Sequence, residues 1–247
     1  MPRILVTNDD GVSSDGIHAL ADALRALGDV TVVAPIQEAS AIGHALTLRR
    51  PLRIEDLRPG VFAVDGTPTD CVNIGVEVLM KDAPPDLVVS GINKGWNLGD
   101  DVTYSGTVSG ALEGALLGIP SIAVSQKRAE TFDFSEGAKA AAVVAKAVLA
   151  RGLPARTFLS INMPEGTPKG FVVTQQAKRN HITKIDTRID PRGKAYYWIE
   201  EGLDEWHANG GKSDYEAVKN GYVSVTPLQP DMTAYDALEA VEAFKLS

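Results

Sequence analysis

Two adjacent carboxylates, Asp9 and Asp10, follow an apolar run, Ile4-Leu5-Val6-Thr7, and precede a glycine, Gly11. Such a run reads as a strand buried on both faces of a parallel sheet, and its carboxyl end opens into the crevice where these sheets hold ligands. Two negative charges about 4 Å apart repel by roughly 4 kcal/mol at an effective dielectric near 20, and a bound cation relieves that repulsion. Side chains alternate along a strand, so both aspartates can face one ion only where the backbone bends, which Gly11 permits. The competing reading is a solvated Asn-Asp-Asp-Gly turn.

Three further segments follow predicted strands and should share the rim with the aspartates. In Ile36 to His44, Ser40 offers a hydroxyl oxygen to a hard cation, and His44 could donate to a phosphate, although ordinary loop polarity explains it as well. In Ser90 to Asp101, glycines at 91, 95 and 99 allow close backbone approach, while Asn93 and Asn97 carry neutral carbonyl oxygens. An ion held by two aspartates, a serine and an asparagine has a nearly neutral shell that still attracts water or phosphate oxygen, and oxygen-only ligation favours magnesium, manganese or calcium. Tyr104-Ser105-Gly106-Thr107 opens a small-residue helix whose free amides attract an anion or are simply capped. The helix dipole adds only about 0.3 to 1 kcal/mol, so amide hydrogen bonds and the cation must supply most of any phosphate binding. No G-x-x-x-x-G-K-[ST] or G-x-G-x-x-G pattern occurs.

The elements that position these segments alternate between strand and helix, the pattern of a parallel sheet covered by helices. Strands are expected at Ile4 to Thr7, Val30 to Ala34, Leu46 to Ile54, Val61 to Val64, Leu87 to Ser90, Ile119 to Val124 and Thr157 to Asn162. Helices are expected at Ile17 to Leu27, at Cys71 to Met80 behind a Thr67 cap, at Val108 to Leu117 and at Glu136 to Arg151. Beyond Pro164 the character changes: Phe171 to Thr174, Ala195 to Ile199 and Tyr222 to Thr226 read as antiparallel strands, and two of the three tryptophans, Trp198 and Trp206, fall here. We expect a core over residues 1–164 and, over 165–247, a β-rich arm that packs on a second subunit, with a folded-back sheet edge as the alternative.

Composition narrows the function classes. The 247 residues suit one hydrophobic core with an extension, and 44% hydrophobic content is enough to fill it. A net charge of -8 argues against long nucleic acid, so a small anion would need a local cation or amides. No apolar run reaches membrane-spanning length, and Met1-Pro2-Arg3 leads directly into a strand, so no membrane association and a cytoplasmic location are expected. Cys71 is the only cysteine and reads as a core residue, and His18, His44, His181 and His207 are too scattered for a zinc site.

Taken in order, Val6-Thr7-Asn8-Asp9-Asp10-Gly11, Gly66-Thr67-Pro68-Thr69-Asp70-Cys71, Ser90-Gly91-Ile92-Asn93, Asn97-Leu98-Gly99 and Tyr104 to Ser109 resemble the SurE family of metal-dependent nucleotidases. The likeness continues through Asp190-Pro191-Arg192-Gly193, Tyr197-Trp198 and Gly221 to Leu228. It implies a Rossmann-like α/β core, a homodimer or homotetramer built through the C-terminal arm, and hydrolysis of nucleoside 5′-monophosphates, with 3′-monophosphates as further candidates. It also implies one divalent cation per subunit, magnesium or manganese. Metal ligands then fall on Asp9, Asp10, Ser40 and Asn93, the catalytic pair on Asp9 and Asp10, and phosphate binding on Asn97, Ser105, Gly106 and Thr107. Where members of the family often carry a basic residue before the ligand serine, this chain has Ala39, a departure that puts any phosphate contact from that position in question. The Asp-Asp spacing is not the D-x-D of aspartyl-phosphate enzymes, which favours water as nucleophile. A noncatalytic nucleotide sensor and a sugar-nucleotide transferase are the competing functions.

Overall fold

The central strands are buried on both faces, and successive side chains point alternately into two helical layers that share the core. The computed structural model describes residues 1–207 and 212–244. In β1 (Arg3–Thr7), Ile4 and Val6 face one layer and Leu5 the other, all fully buried. The first layer holds α1 (Asp15–Leu24) and α4 (Ser135–Arg151). The second holds α2 (Pro68–Ile74) and α3 (Gly106–Leu116). Each buried aliphatic side chain contributes about 1.5 to 3 kcal/mol, so the sandwiched strands anchor everything at their ends.

The remaining strands of the main sheet are β2 (Asp29–Pro35), β3 (Ile54–Arg58), β4 (Val61–Val64), β5 (Leu87–Lys94), β6 (Ser121–Gln126), β7 (Phe158–Met163), β8 (Phe171–Val173) and, later in the chain, β11 (Val223–Leu228). Their order is β3-β4-β2-β1-β5-β6-β7-β11-β8. From β4 to β7 the neighbours are parallel. Chain order reverses between β1 and β5, and that reversal opens a crevice at the carboxyl ends of the strands.

The α/β fold expected from the alternation is the fold observed, with two shifts. The segment from Leu46 to Pro51 is not a strand, since pairing with β4 begins only at Ile54. Within it, Thr47 N–H donates to the Asp70 side chain, to Oδ1 at 2.9 Å, and just beyond it Arg53 N–H donates to Asp65 Oδ1 at 2.7 Å. The helix after Thr67 is capped as expected, Thr67 accepting from Asp70 N–H at 3.1 Å while Asp70 accepts from Thr67 N–H at 2.9 Å. It then widens into a π-turn at Gly75–Leu79, where Gly75 packs on Leu5.

Beyond Pro164 the chain does two things. The strands expected at Phe171 and Tyr222 fold back to close the main sheet, β11 antiparallel to β7 and parallel to β8. The strand expected at Ala195 is part of β10 (Ala195–His207), which pairs with β9 (Lys178–Ile189) as a separate two-stranded arm. The Trp206 side chain lies outside the described residues. Short helices α5 (Asp214–Lys219) and α6 (Leu238–Glu242) flank β11 in the sequence. Among the described residues, no helix is long and apolar enough to cross a membrane.

Candidate active site at the carboxyl ends of the central strands

The turn after β1 is fixed from within. Asn8, fully buried, donates through Nδ2 to Gly11 O at 3.0 Å and to Ser14 Oγ at 2.8 Å. Gly11 turns with φ +94°, a conformation that L side chains rarely adopt, and Val12 N–H then bonds Pro35 O at 2.8 Å. The bend required to bring both aspartates to one rim is therefore present.

Asp9 is 4% exposed and packed against the start of α3. A Cβ on Gly106 would stand 2.7 Å from Asp9 Cβ and 2.9 Å from its Oδ2, so only glycine fits. The Thr107 hydroxyl donates to Asp9 Oδ1. Burial pushes the Asp9 carboxyl up to about 6; the Thr107 hydrogen bond opposes this and the charge of Asp10 adds to it. Burial also raises Asp10, with Lys94 pulling down and Glu38 pushing up. Ionisation at this rim is costly, and a cation would offset the cost.

The donor atoms fit a hard cation. Asp10 Oδ2 and Asn8 Oδ1 are buried acceptors that find no hydrogen-bond partner among the described residues. Also among those residues, no three His, Cys, Asp or Glu side chains gather into a cluster, so ligands beyond the aspartates must be neutral oxygens. That chemistry suits magnesium or manganese rather than zinc.

The loop after β2 is drawn to the same place, Ala39 N–H donating to Asp9 O at 2.8 Å. Ser40 donates its hydroxyl proton to Glu38 Oε1 at 2.7 Å, which leaves its oxygen lone pairs for a ligand. On the other flank, β5 carries an irregularity between Ser90 and Asn93. Gly91 allows it, with φ +138° and no room for a Cβ against Val124 O. Asn93 Nδ2 donates to Gly95 O at 3.0 Å, so its amide is oriented before any ligand arrives.

Asn97 is buried and clamped: its Nδ2 donates to Ser125 Oγ at 2.7 Å, its N–H to Asn162 Oδ1 at 2.9 Å, and Asn162 Nδ2 returns to Asn97 O at 3.0 Å. Ser105 caps α3, accepting from Val108 N–H at 3.1 Å, and among the described residues its own proton has no acceptor. Thr107, expected as a phosphate contact, here supports Asp9. His44 pairs with Glu113 on α3, Nε2 to Oε2 at 2.7 Å, and Asn73 Nδ2 donates to the other Glu113 oxygen at 2.7 Å. Burial would raise Glu113, but the bonds from His44 and Asn73 outweigh it and hold this carboxyl below its ordinary range.

Several contributors were not singled out from sequence. Glu38 and Lys94 tune Asp10 through space. Asp214 reaches across 115 positions to accept from Gly99 N–H at 3.0 Å, and also binds Ala177 N–H at 3.0 Å. Asn162, at the end of a predicted strand on the shared rim, was the one such residue with a readable signal.

Comparison with known proteins accords with this geometry. The family model described as Survival protein SurE matches residues 4–183. The chain is 53% identical to the 5′-nucleotidase SurE of Geobacter sulfurreducens, covering 99% of this chain and 94% of that protein. It is 50% identical to 5′-nucleotidase SurE 1 of Thermus thermophilus, covering 97% and 96%. The crystal structure of the SurE protein from Aquifex aeolicus superposes with a TM-score of 0.88 at 48% identity, covering 99% of this chain and 100% of that one.

Proposed function

This chain belongs to the SurE family, and from that premise we propose that it is a 5′-nucleotidase, hydrolysing nucleoside 5′-monophosphates to nucleoside and phosphate with one divalent cation per subunit. The observation that carries the reading is Asp10 Oδ2, a buried carboxylate oxygen without a partner among the described residues, beside the packed pair of Asp9 and α3. Asp9, Asp10, Ser40 and Asn93 would hold magnesium or manganese. When bound, the ion supplies Lewis acidity and neutralises phosphate charge.

The chain's own groups do the rest. Ser105, with its hydroxyl proton free to donate, and the Gly106 amide at the start of α3 face the phosphate oxygens, and Asn97, fixed by Asn162 and Ser125, lines the same end. These donors hold the monoester in place and stabilise charge as the bridging P–O bond breaks. Thr107 keeps Asp9 oriented. The nucleophile is water; burial raises the Asp9 carboxyl to about 6 in the metal-free protein, and a bound cation would bring it down again and keep it ionised as a ligand. Assembly into a dimer or tetramer through the arm completes the proposal, supported by exposed Ile185, Ile189, Tyr197, Trp198 and Ile199 on β9 and β10. We place the enzyme in the cytoplasm.

The test is release of inorganic phosphate from a panel of nucleoside 5′- and 3′-monophosphates with manganese or magnesium. Binding of the nucleotides with no release under either metal would leave a sensor. An acid-stable phosphorylated protein in rapid-quench samples would rule out water as the nucleophile.

A further inference from the structure

A cleft of about 360 Å³, within the size range of small-molecule sites, opens between the loop after β2 and the end of β4. One wall is Ala39, whose amide donates to Asp9 O at 2.8 Å. Its floor is apolar: Ile36 and Val64 meet there, Ile36 N–H donating to Val64 O at 2.9 Å. The outer wall is Arg50 and Asp65. Ala39 is thus bonded to the end of β1, while Val64 lies on β4 two strand positions away, about 10 Å by strand spacing. That span matches the extension of a nucleoside away from its phosphate.

The outer wall is built to hold a plane. Arg50 Nη1 lies 3.2 Å from Asp65 Oδ2 and donates to Pro51 O at 3.3 Å, and Nη2 donates to Asp65 O. Asp65 is itself fixed by Arg53 N–H at 2.7 Å. The guanidinium is thus held along its edge, while the side chain remains 51% exposed. A surface ion pair of this kind adds little stability, but an edge-bound guanidinium presents a flat cationic face on which a nucleobase can stack.

We propose that this cleft is the nucleoside subsite and that the Arg50 face, clamped by Asp65, stacks on the nucleobase; the assignment rests on the nucleotidase reading above. It accounts for recognition of a nucleotide rather than any phosphate monoester, and the ligand class it takes is a purine or pyrimidine nucleoside joined to phosphate.

The test uses full-length, manganese-loaded protein and two hydrolysis-resistant probes, adenosine 5′-phosphonate and the ribose 5-phosphonate that lacks the base. The native protein should bind the adenosine probe roughly tenfold more tightly, the scale of one stacked base. Arg50→Ala should bring that ratio close to one, and Arg50→Lys, which keeps the charge without the plane, should not restore it. A native ratio of one, an undiminished ratio in Arg50→Ala, or full recovery in Arg50→Lys would each overturn the proposal. Phosphate release from AMP is scored separately. Release with a ratio of one refutes the cleft alone, and a tenfold ratio without release refutes the nucleotidase reading alone.

Discussion

Gly106→Ala tests whether the first turn of α3 and Asp9 form one rigid unit. The added methyl would stand 2.7 Å from Asp9 Cβ and 2.9 Å from Oδ2, against an ordinary carbon contact of about 3.5 to 4.0 Å. Asp9 is 4% exposed and bound to Thr107, so it cannot swing into solvent, and either the helix or β1 must give. Overpacking of this kind costs about 1 to 3 kcal/mol, partly offset by the better helix propensity of alanine. In a chain of this length each kcal/mol lowers Tm by roughly 2 to 4 °C, so a fall of about 2 to 8 °C is expected in metal-free buffer. Manganese affinity, read by EPR of the free ion, should drop at least roughly tenfold, as when an outer partner of a metal ligand is disturbed. Gly95→Ala is the control, since its Cβ would meet nothing nearer than Asn93 Nδ2 at 3.7 Å. Native Tm together with native manganese affinity in Gly106→Ala would show that Asp9 is not held by α3.

Three more outcomes follow from the same geometry. The Asp9 carboxyl is raised from 3.8 to about 6, so the metal-free protein holds this contribution in full below pH 4 and loses up to about 3 kcal/mol of urea stability as pH rises through 6; Asp9→Asn should flatten that slope, and an unchanged slope in the variant would exclude Asp9 as its source. Asp214→Ala strands the amides of Gly99, Ala177 and Tyr215, costing about 3 kcal/mol or more; hydrogen exchange should rise at Gly99 and Ala177, and native protection at both would refute the clamp. Replacing residues 178–207 with a short glycine linker, feasible because Gln175 and Ser213 bridge at the base of the arm, should give a folded monomer by light scattering, whereas an oligomer of native subunit number would refute the arm's role.

How much of this was legible in the sequence depended on range. The strands, the Thr67 cap and the bend at Gly11 are local consequences of alternation, side-chain capping and a positive φ, and each was readable within a few residues. The absence of a strand at Leu46 was not, because the Asp65 and Asp70 carboxylates that take up the nearby amides arrive from later in the chain. The return of β8 and β11 to the main sheet was likewise hidden: both carry the β-pattern of an arm, and only pairing with β7 and with each other distinguishes the two. At the site, ligand types were readable from strand ends, but Glu38, Lys94 and Asp214 act through space or across long separations, where spacing carries no signal.

Charge explains why these pieces must act together. The rim sets the Asp9 and Asp10 carboxylates near Lys94 and the start of α3, with Glu38 repelling Asp10 through space, in a protein whose net charge is already -8. A phosphate monoester carries up to two negative charges, and the helix dipole returns only about 0.3 to 1 kcal/mol, less than one carboxylate's repulsion at close range. Substrate affinity should therefore depend on a divalent cation more steeply than on the donors of α3. Ser105→Ala, which removes one donor and a cap, should raise KM several-fold at saturating manganese, an effect worth about 1 to 2 kcal/mol. Withdrawal of manganese with a chelator should abolish nucleotide binding in the intact protein. Nucleotide affinity that survives the chelator but collapses in Ser105→Ala would place the attraction in the helix and invert this ordering.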